Sequence, residues 1–490
     1  LYVDSTSETK LVEDAIVGML EKLDPHSTYT DPEETKEMTE PLQGNFDGIG
    51  IQFNMLTDTL YVIQVIPGGP SEKVGLMAGD RIIMVDDTLI AGVKMKNTDV
   101  MKRLRGPKNT EVRVKVLRGG VPDLIEFKIT RGKIPVYSLD AAYMADKTTG
   151  YIKLNRFAAS SADEFREALE KLKKQGMKNL ILDLQGNGGG YLNIAIDLAD
   201  EFLGKDKLIV YTEGNKQPRE EAKSSARGGF EEGRLVVLVD ETSASASEIL
   251  SGAVQDWDRG VVVGRRTFGK GLVQKPIPMP DGSMIRLTVA RYYTPTGRSI
   301  QKPYVNGNQE QYNHDLIDRY NRGELMSADS IHFPDSMKYN TLETKRIVYG
   351  GGGIMPDVFI PVDTSRYTDY HRSVVAAGLV NRIAMNYRDR HRAELNKKYP
   401  KFAQYKQNFN VTDDIMQELV TLAKDDKIEF NEEQYNRSKP LIMLQIKALI
   451  ARDLYDMAEY FQVINDDNES FQEALRLIND EQRYKKELGR

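Results

Sequence analysis

The chain has 490 residues, enough for about three domains and certainly more than one core. Its 67 Lys and Arg against 73 Asp and Glu leave a formal net charge of −6, without the basic footprint of a general nucleic-acid binder. An apolar share of 40% and a charged share of 29% fit a soluble globular protein, and no apolar run approaches the ~18 residues of a membrane-spanning helix.

The chain starts without a charged-then-apolar leader, so a signal peptide is expected to be absent or already removed. Cysteine is absent, which removes thiol nucleophiles, disulfides and Cys-based zinc sites together. The histidines are His26, His314, His332, His371 and His391, and none lies between positions 27 and 313. A catalytic base in that middle stretch is therefore not a His of that stretch.

Residues 1–40 open with helical periodicity. Val12, Ile16, Met19 and Leu23 share a face, ended by Asp24-Pro25. Residues 42–134 alternate apolar and polar positions at Leu60–Ile66, Arg81–Val85 and Val112–Val116, separated by Gly-rich turns. With a short helix near 97–105, they predict a small β-rich domain. Residues 135–300 read as layered α/β. Ser161-Ala-Asp-Glu164 has the form of a capping box opening a helix with Phe165, Leu169 and Leu172 as its stripe. Strands follow at Leu180–Leu184, Leu208–Tyr211, Leu235–Val239 and Val261–Val263, with helices over 191–203 and from near Ser245 to before Gly260. Residues 301–348 are polar and weakly patterned, an insertion or loop, and Gly350–Gly353 marks a turn or join. The chain returns to the α/β core at 349–365. Residues 366–490 read as helical, a packing or oligomerisation module that leaves a homo-oligomer open.

Three constellations could carry chemistry. Gly264-Arg-Arg-Thr-Phe-Gly269-Lys270-Gly271 follows a strand like a phosphate loop. It has Gly271 where the magnesium-binding hydroxyl belongs, and an extended segment where a helix should start, so nucleotide binding is not supported. Thr242-Ser-Ala-Ser-Ala-Ser-Glu248 sits at a strand-to-helix turn. By itself it reads as a Ser-rich helix cap; it also presents a hydroxyl beside helix N–H groups that could hold an oxyanion. Such a Ser needs a base, and Lys270 is the available one. A Lys base must lose about 3 units from its reference near 10.4, which burial without a carboxylate partner can supply. The uncharged flanks Thr267-Phe268-Gly269 and Leu272-Val273 agree with that, and Gln274 could orient the amine as a neutral amide. Asp183-Leu-Gln-Gly-Asn-Gly-Gly-Gly190 offers backbone N–H groups at the end of a strand.

Taken in this order and spacing, the three segments resemble the carboxyl-terminal processing, or tail-specific, serine peptidases. The resemblance implies a nucleophile at Ser245, a general base at Lys270 and an orienting Gln274. It also implies an oxyanion hole from the N–H groups of Ala246 and Gly190, with the choice between Gly189 and Gly190 open. Gln185 and Gly188 depart from the commoner Arg and Pro of the family's loop. Asp47-Gly-Ile-Gly-Ile51 resembles the carboxylate-binding loop of a PDZ domain, which implies substrate binding by Gly48, Ile49, Gly50 and Ile51. Leu23-Asp-Pro-His-Ser27 and Gly353-Ile-Met-Pro-Asp357 also resemble family segments.

The implied fold is multidomain α/β and α+β: a PDZ-like β-rich domain, a layered α/β peptidase core of the crotonase-like type and a helical C-terminal region. The implied function is an endopeptidase acting on proteins or peptides with free C-termini, with no cofactor, metal, nucleotide or nucleic-acid partner and no membrane span. An exported location, in the periplasm or cell envelope, follows from the resemblance. A non-catalytic PDZ-bearing scaffold on a peptidase fold is the main alternative, and a hydratase or thioesterase a second.

Overall fold

The computed structural model describes every residue except Leu1, Tyr2, Asp4 and Thr57, and of Leu56 the backbone alone. The first residues of the 1–40 segment thus lie partly outside the described residues. The chain divides into two compact units. One holds Leu1–Gly44, Tyr137–Val362 and Asn468–Arg490; the other holds Asn45–Val136 and Asp363–Asp467. Among the described residues, no helix is long and apolar enough to cross a membrane.

The first unit is built on a sheet in the order Leu139–Met144, Thr149–Leu154, Asn179–Asp183, Leu235–Val239, Val261–Gly264, Val358–Phe359. The first pair is antiparallel and the rest are parallel. Its central strands are buried at every position, which is why they read as continuous apolar runs rather than alternations. A second sheet pairs Met284–Tyr293 with Thr28–Thr30, Leu208–Gly214 and Leu272–Pro278. The N-terminal segment therefore joins this unit through an edge strand about which periodicity says nothing.

Local expectations fail where a tertiary partner competes. The helix Ser161–Lys174 starts one residue beyond Ser160, and no capping box forms. Glu164 instead accepts from the Ser138 N–H and hydroxyl and from Leu139 N–H. The face drawn through Val12 and Met19 is solvent-facing, at 58% and 64% exposure, and the helix Glu8–Leu20 buries Leu20. Within 301–348 lies a helix, Gln309–Asn321, whose buried residues are Tyr312 and Arg319. A Tyr and an Arg in a polar helix leave no apolar stripe to recognise. Arg319 donates to the Thr267 and Arg266 carbonyls, so this helix braces the loop leading to Lys270. The Gly350–Gly353 run packs against the same loop: a Cβ at Gly353 would lie 2.5 Å from the Thr267 carbonyl oxygen.

The helical stretch 366–490 divides at Asn468 between the two units. The helix Glu469–Asn479 carries Phe471, Ala474, Leu477 and Ile478 on one stripe and packs on the central strands of the first unit. The next helix, Glu481–Glu487, inserts Tyr484, whose hydroxyl accepts from Leu235 N–H at 3.0 Å and donates to the Leu235 carbonyl at 2.9 Å. Tyr484→Phe takes the acceptor from the buried Leu235 N–H and is expected to cost about 1–3 kcal/mol, read as a lowered denaturation midpoint.

The second unit contains a β-domain with the strand order Ile51–Leu56, Thr59–Val65, Arg81–Val85, Glu111–Leu117, Ile125–Thr130. Its helices from Asp369–Ala376 to Met457–Ile464 enclose a separate apolar core that includes Ile383, Met416, Leu419 and Ile446. The two parts of this unit meet at the turn before Arg81, where Arg392 donates to the Ala78 carbonyl at 2.7 Å.

Candidate active site

The strand Leu235–Val239 delivers the Ser-rich segment to the end of the parallel sheet. Asp240 then sets the turn. Its carboxylate accepts from the N–H groups of Thr242 and Ser243, from the Thr242 hydroxyl and from Gly186 N–H of the neighbouring Gly loop. Asn187 locks that loop, donating to the Leu154 carbonyl and accepting from Gly189 N–H. Its own carbonyl accepts from Ala244 N–H and the Ser247 hydroxyl.

These contacts separate the three serines. Ser243 and Ser247 are fully buried, with hydroxyls donating to the carbonyls of Leu184 and Asn187 at 2.8 Å. Ser245 lines a cavity of about 630 Å³ together with Ala246, Gly188, Gly189, Gly190, Lys270 and Gln274. It sits at the N-terminus of the helix Ala246–Asp256 with φ +55° and ψ −111°, a sparsely populated backbone region costing about 1–3 kcal/mol. That conformation turns the chain sharply from strand to helix and leaves helix N–H groups beside the hydroxyl.

Gly189 and Gly190 have positive φ, +104° and +151°. A Cβ on Gly189 would come within 2.9 Å of Ser245 Cβ, and one on Gly190 within 2.2 Å of the Phe157 carbonyl oxygen. Gly189 N–H is spent on Asn187. Among the described residues, the N–H groups of Gly190 and Ala246 donate to nothing, so both remain available to a ligand.

Lys270 follows the strand Val261–Gly264 on a loop. Among the described residues its amine has no carboxylate within ion-pair distance. Burial, then the nearby Arg286 charge, push it down to about 8. Gln274 donates through Nε2 to the Thr288 hydroxyl at 3.2 Å, and that hydroxyl donates to Asp24 Oδ1 at 2.8 Å. Asp24 also accepts from Ser27 Oγ at 2.5 Å. The Asp24–Ser27 turn thus buttresses Gln274 from more than 240 residues earlier in the chain. His26 stacks edge-on against Tyr312 and shares a 2.9 Å hydrogen bond with its hydroxyl. Burial first and Lys270 second hold His26 down to about 3, so it stays neutral.

Glu248 is the residue that motif reasoning left without a role. It is fully buried, and its carboxylate accepts from the N–H groups of Ser245 at 2.8 Å, Lys270 at 2.9 Å and Gly269 at 2.7 Å, and from the Thr267 hydroxyl at 2.5 Å. Burial pushes it up to about 7, while these donors favour its ionised form. The signal was present in sequence, as an acid three residues after Ser245 at the start of a helix. Local reading takes it for a helix cap. Tyr292 completes the tie, with its hydroxyl 2.5 Å from the Lys270 carbonyl and 3.1 Å from that of Ser245.

In the β-domain, Gly48 pairs with Gly132 in the ladder Asn45–Gly48 with Gly132–Pro135. Gly50 has φ +78° and its carbonyl accepts from Ile66 N–H. Ile49 lies in the domain core at 3% exposure; Ile51 is half-buried and opens the edge strand Ile51–Leu56. Among the described residues, the Ile49 and Gly50 N–H groups have no acceptor.

Residues 148–310 match peptidase family S41, residues 48–129 the PDZ domain, and residues 370–456 a family of unknown function, DUF8443. The carboxy-terminal-processing protease of Bartonella bacilliformis is 38% identical over 306 residues, 61% of this chain and 69% of that protein. The chain belongs to peptidase family S41. The carboxy-terminal processing protease CtpA of Bacillus subtilis is 35% identical over 61% of this chain and 64% of its own. Among solved structures, a photosystem II D1 C-terminal processing protease is 30% identical, covers 61% of this chain and 81% of its own, and has a TM-score of 0.37. The matched stretch spans about two thirds of the curated relatives. S41 peptidases are serine peptidases, and a PDZ domain precedes the S41 domain here. The fold is accordingly a PDZ domain and an S41 core of mixed sheets with a helical C-terminal region, as the sequence implied.

Within this S41 chain, Glu248→Gln is expected to lower kcat at least tenfold and to destabilise the protein by about 1–3 kcal/mol, because a buried amide nitrogen would face N–H donors. Thermal denaturation and steady-state kinetics on one preparation check both.

Proposed function

We propose that this S41 chain is an endopeptidase with a Ser245–Lys270 dyad that cuts polypeptides engaged at their C-termini by the PDZ domain. The observation that carries this reading is a cavity shared by a strained, accessible Ser245 and an amine held near pH 8 without an acid partner. Neutral Lys270 takes the Ser245 proton and Ser245 attacks the carbonyl. The N–H groups of Ala246 and Gly190 hold the oxyanion. Lys270 then gives its proton to the leaving amine, and water releases the acyl group. Gln274, fixed through Thr288 by Asp24, orients the amine without stabilising its charge.

The PDZ part of the reading rests on the edge strand Ile51–Leu56 and on the free N–H groups of Ile49 and Gly50. A peptide adding to that edge would bring its terminal carboxylate to these donors. Residues 42–134 would serve recognition, 135–300 with 349–365 catalysis, and the 366–490 helices packing. The periplasm or cell envelope, as the family resemblance implies, is the proposed location.

The test is cleavage of unstructured proteins with matched free-acid and amidated C-termini. Free-acid substrates with apolar last residues are expected to be cut faster. Gly50→Trp should erase that difference and spare slow cleavage of short peptides. Equal rates for both ends would remove the tail-reading role. No cleavage of any substrate would favour a scaffold.

A further inference from the structure

The cavity around Ser245 is positively charged in a way the dyad does not require. It is lined by Arg156, Lys270 and Arg286 and by no Asp or Glu. Most of its remaining wall is apolar, including Met38, Leu42, Leu192 and Met284.

Arg286 is the unexplained member. It lies on the strand Met284–Tyr293, in register with Thr28 on one side and Pro276 on the other. Its guanidinium is half-buried, yet its hydrogen bonds are long ones to the Thr28 hydroxyl, at 3.3 and 3.4 Å. Among the described residues it has no carboxylate partner. Other inward arginines of this unit have carboxylate or carbonyl partners, although among the described residues Arg298 Nε and Arg346 Nη2 have none. Arg298 meets Asp256, Arg346 meets Asp258 and Asp357, and Arg259 donates to the carbonyls of Phe202, Gly233 and Phe230. Arg156 donates to Asn155 Oδ1 and lies in the field of Asp140. A desolvated guanidinium with unused donors is a costly arrangement, and a carboxylate matches its fork in shape and charge.

We propose that Arg286 is a carboxylate-binding group of the substrate cleft. It takes an anionic carboxylate of the polypeptide lying across Ser245. That carboxylate is supplied either by an Asp or Glu side chain near the scissile bond or by a chain end a few residues beyond it. The inference rests on the peptidase reading above and concerns a subsite separate from the PDZ loop. It also gives Arg286 a second effect, because its charge helps to keep Lys270 neutral.

The test uses short quenched-fluorescence peptides and the full chain. One series is blocked at both ends and replaces Gln by Glu at each position flanking the scissile bond. The other is neutral within and ends as free acid or amide two to four residues past that bond. In the wild type, one position in one series is expected to favour the carboxylate peptide about tenfold in kcat/KM. Arg286→Gln should bring that ratio to about one, Arg286→Lys should keep part of it, and the acid limb of the pH profile should move to higher pH in Arg286→Gln. A thermal midpoint on each variant identifies any that fail to fold, and Arg286→Lys then carries the comparison. No preference at any position, or a preference that survives Arg286→Gln, overturns the subsite. Cleavage of the neutral peptides by wild type and its loss in Ser245→Ala stand or fall separately, so failure here is distinct from failure of the dyad.

Discussion

Ser245→Ala is expected to lower cleavage by about 10³-fold or more, with whatever remains coming from the oxyanion donors and binding. The hydroxyl is the nucleophile in the proposed mechanism, and its neighbours cannot replace it. Ser243 and Ser247 are buried with their hydroxyls committed to the Leu184 and Asn187 carbonyls. Ser243→Ala and Ser247→Ala should therefore each cost about 1 kcal/mol of stability and retain measurable activity. Because Ser245 and Lys270 act as one unit, removing both should cost little more than removing either. Full activity in Ser245→Ala, or equal losses in all three alanine variants, would sink the assignment.

Lys270→Arg is expected to be as inactive as Lys270→Ala, a loss of about 10²–10⁴-fold, although the charge is kept. An arginine does not deprotonate in a protein and cannot act as a general base. The pH dependence has a definite sign. Lys270 is pushed down to about 8, chiefly by burial. Activity should rise with pH through that region and fall about tenfold per unit well below it. Stability follows the same direction. A buried amine whose folded value lies below its unfolded one penalises the fold once protonated, so that penalty is full below pH 8 and is relieved as pH rises toward 10.5. Lys270→Met should accordingly be inactive yet at least as stable as wild type at neutral pH. That outcome separates a lost base from a lost fold. Near-wild-type rates in Lys270→Arg would mean that Lys270 only packs or binds.

The order of elements around the site was legible because each strand and helix carries its own signal. Leu235–Val239 is an unbroken apolar run, and a Ser-rich turn and a buried helix follow it. The absence of Cys, and of His between positions 27 and 313, made Lys270 the candidate base on sequence alone. The helix Gln309–Asn321 was hidden because its inward residues are a Tyr and an Arg, which carry no amphipathic pattern. The division of the C-terminal helices at Asn468 was hidden for a related reason. An apolar stripe states that a face is buried and does not name the surface that buries it.

What the sequence determined by itself was the chemistry on offer: a hydroxyl at a strand-to-helix turn, a Lys on a glycine-flanked loop, a glycine-rich loop for N–H donors and an edge-strand loop for a chain end. What only the tertiary structure decided was which of those groups are free to act. Ser243, Ser245 and Ser247 are equivalent by composition, and the positive φ at Ser245 together with carbonyl partners for the other two distinguishes them. Glu248 reads locally as a helix cap, yet it holds Ser245 and Lys270 together through backbone N–H groups 25 residues apart. Asp24 and His26 reach the same neighbourhood through a strand pairing with Arg286 and its neighbours. The physical reason is the same in each case. Periodicity and spacing are local properties of the backbone, whereas burial, desolvation and hydrogen-bond partnership are set by whichever distant segment fills the remaining space.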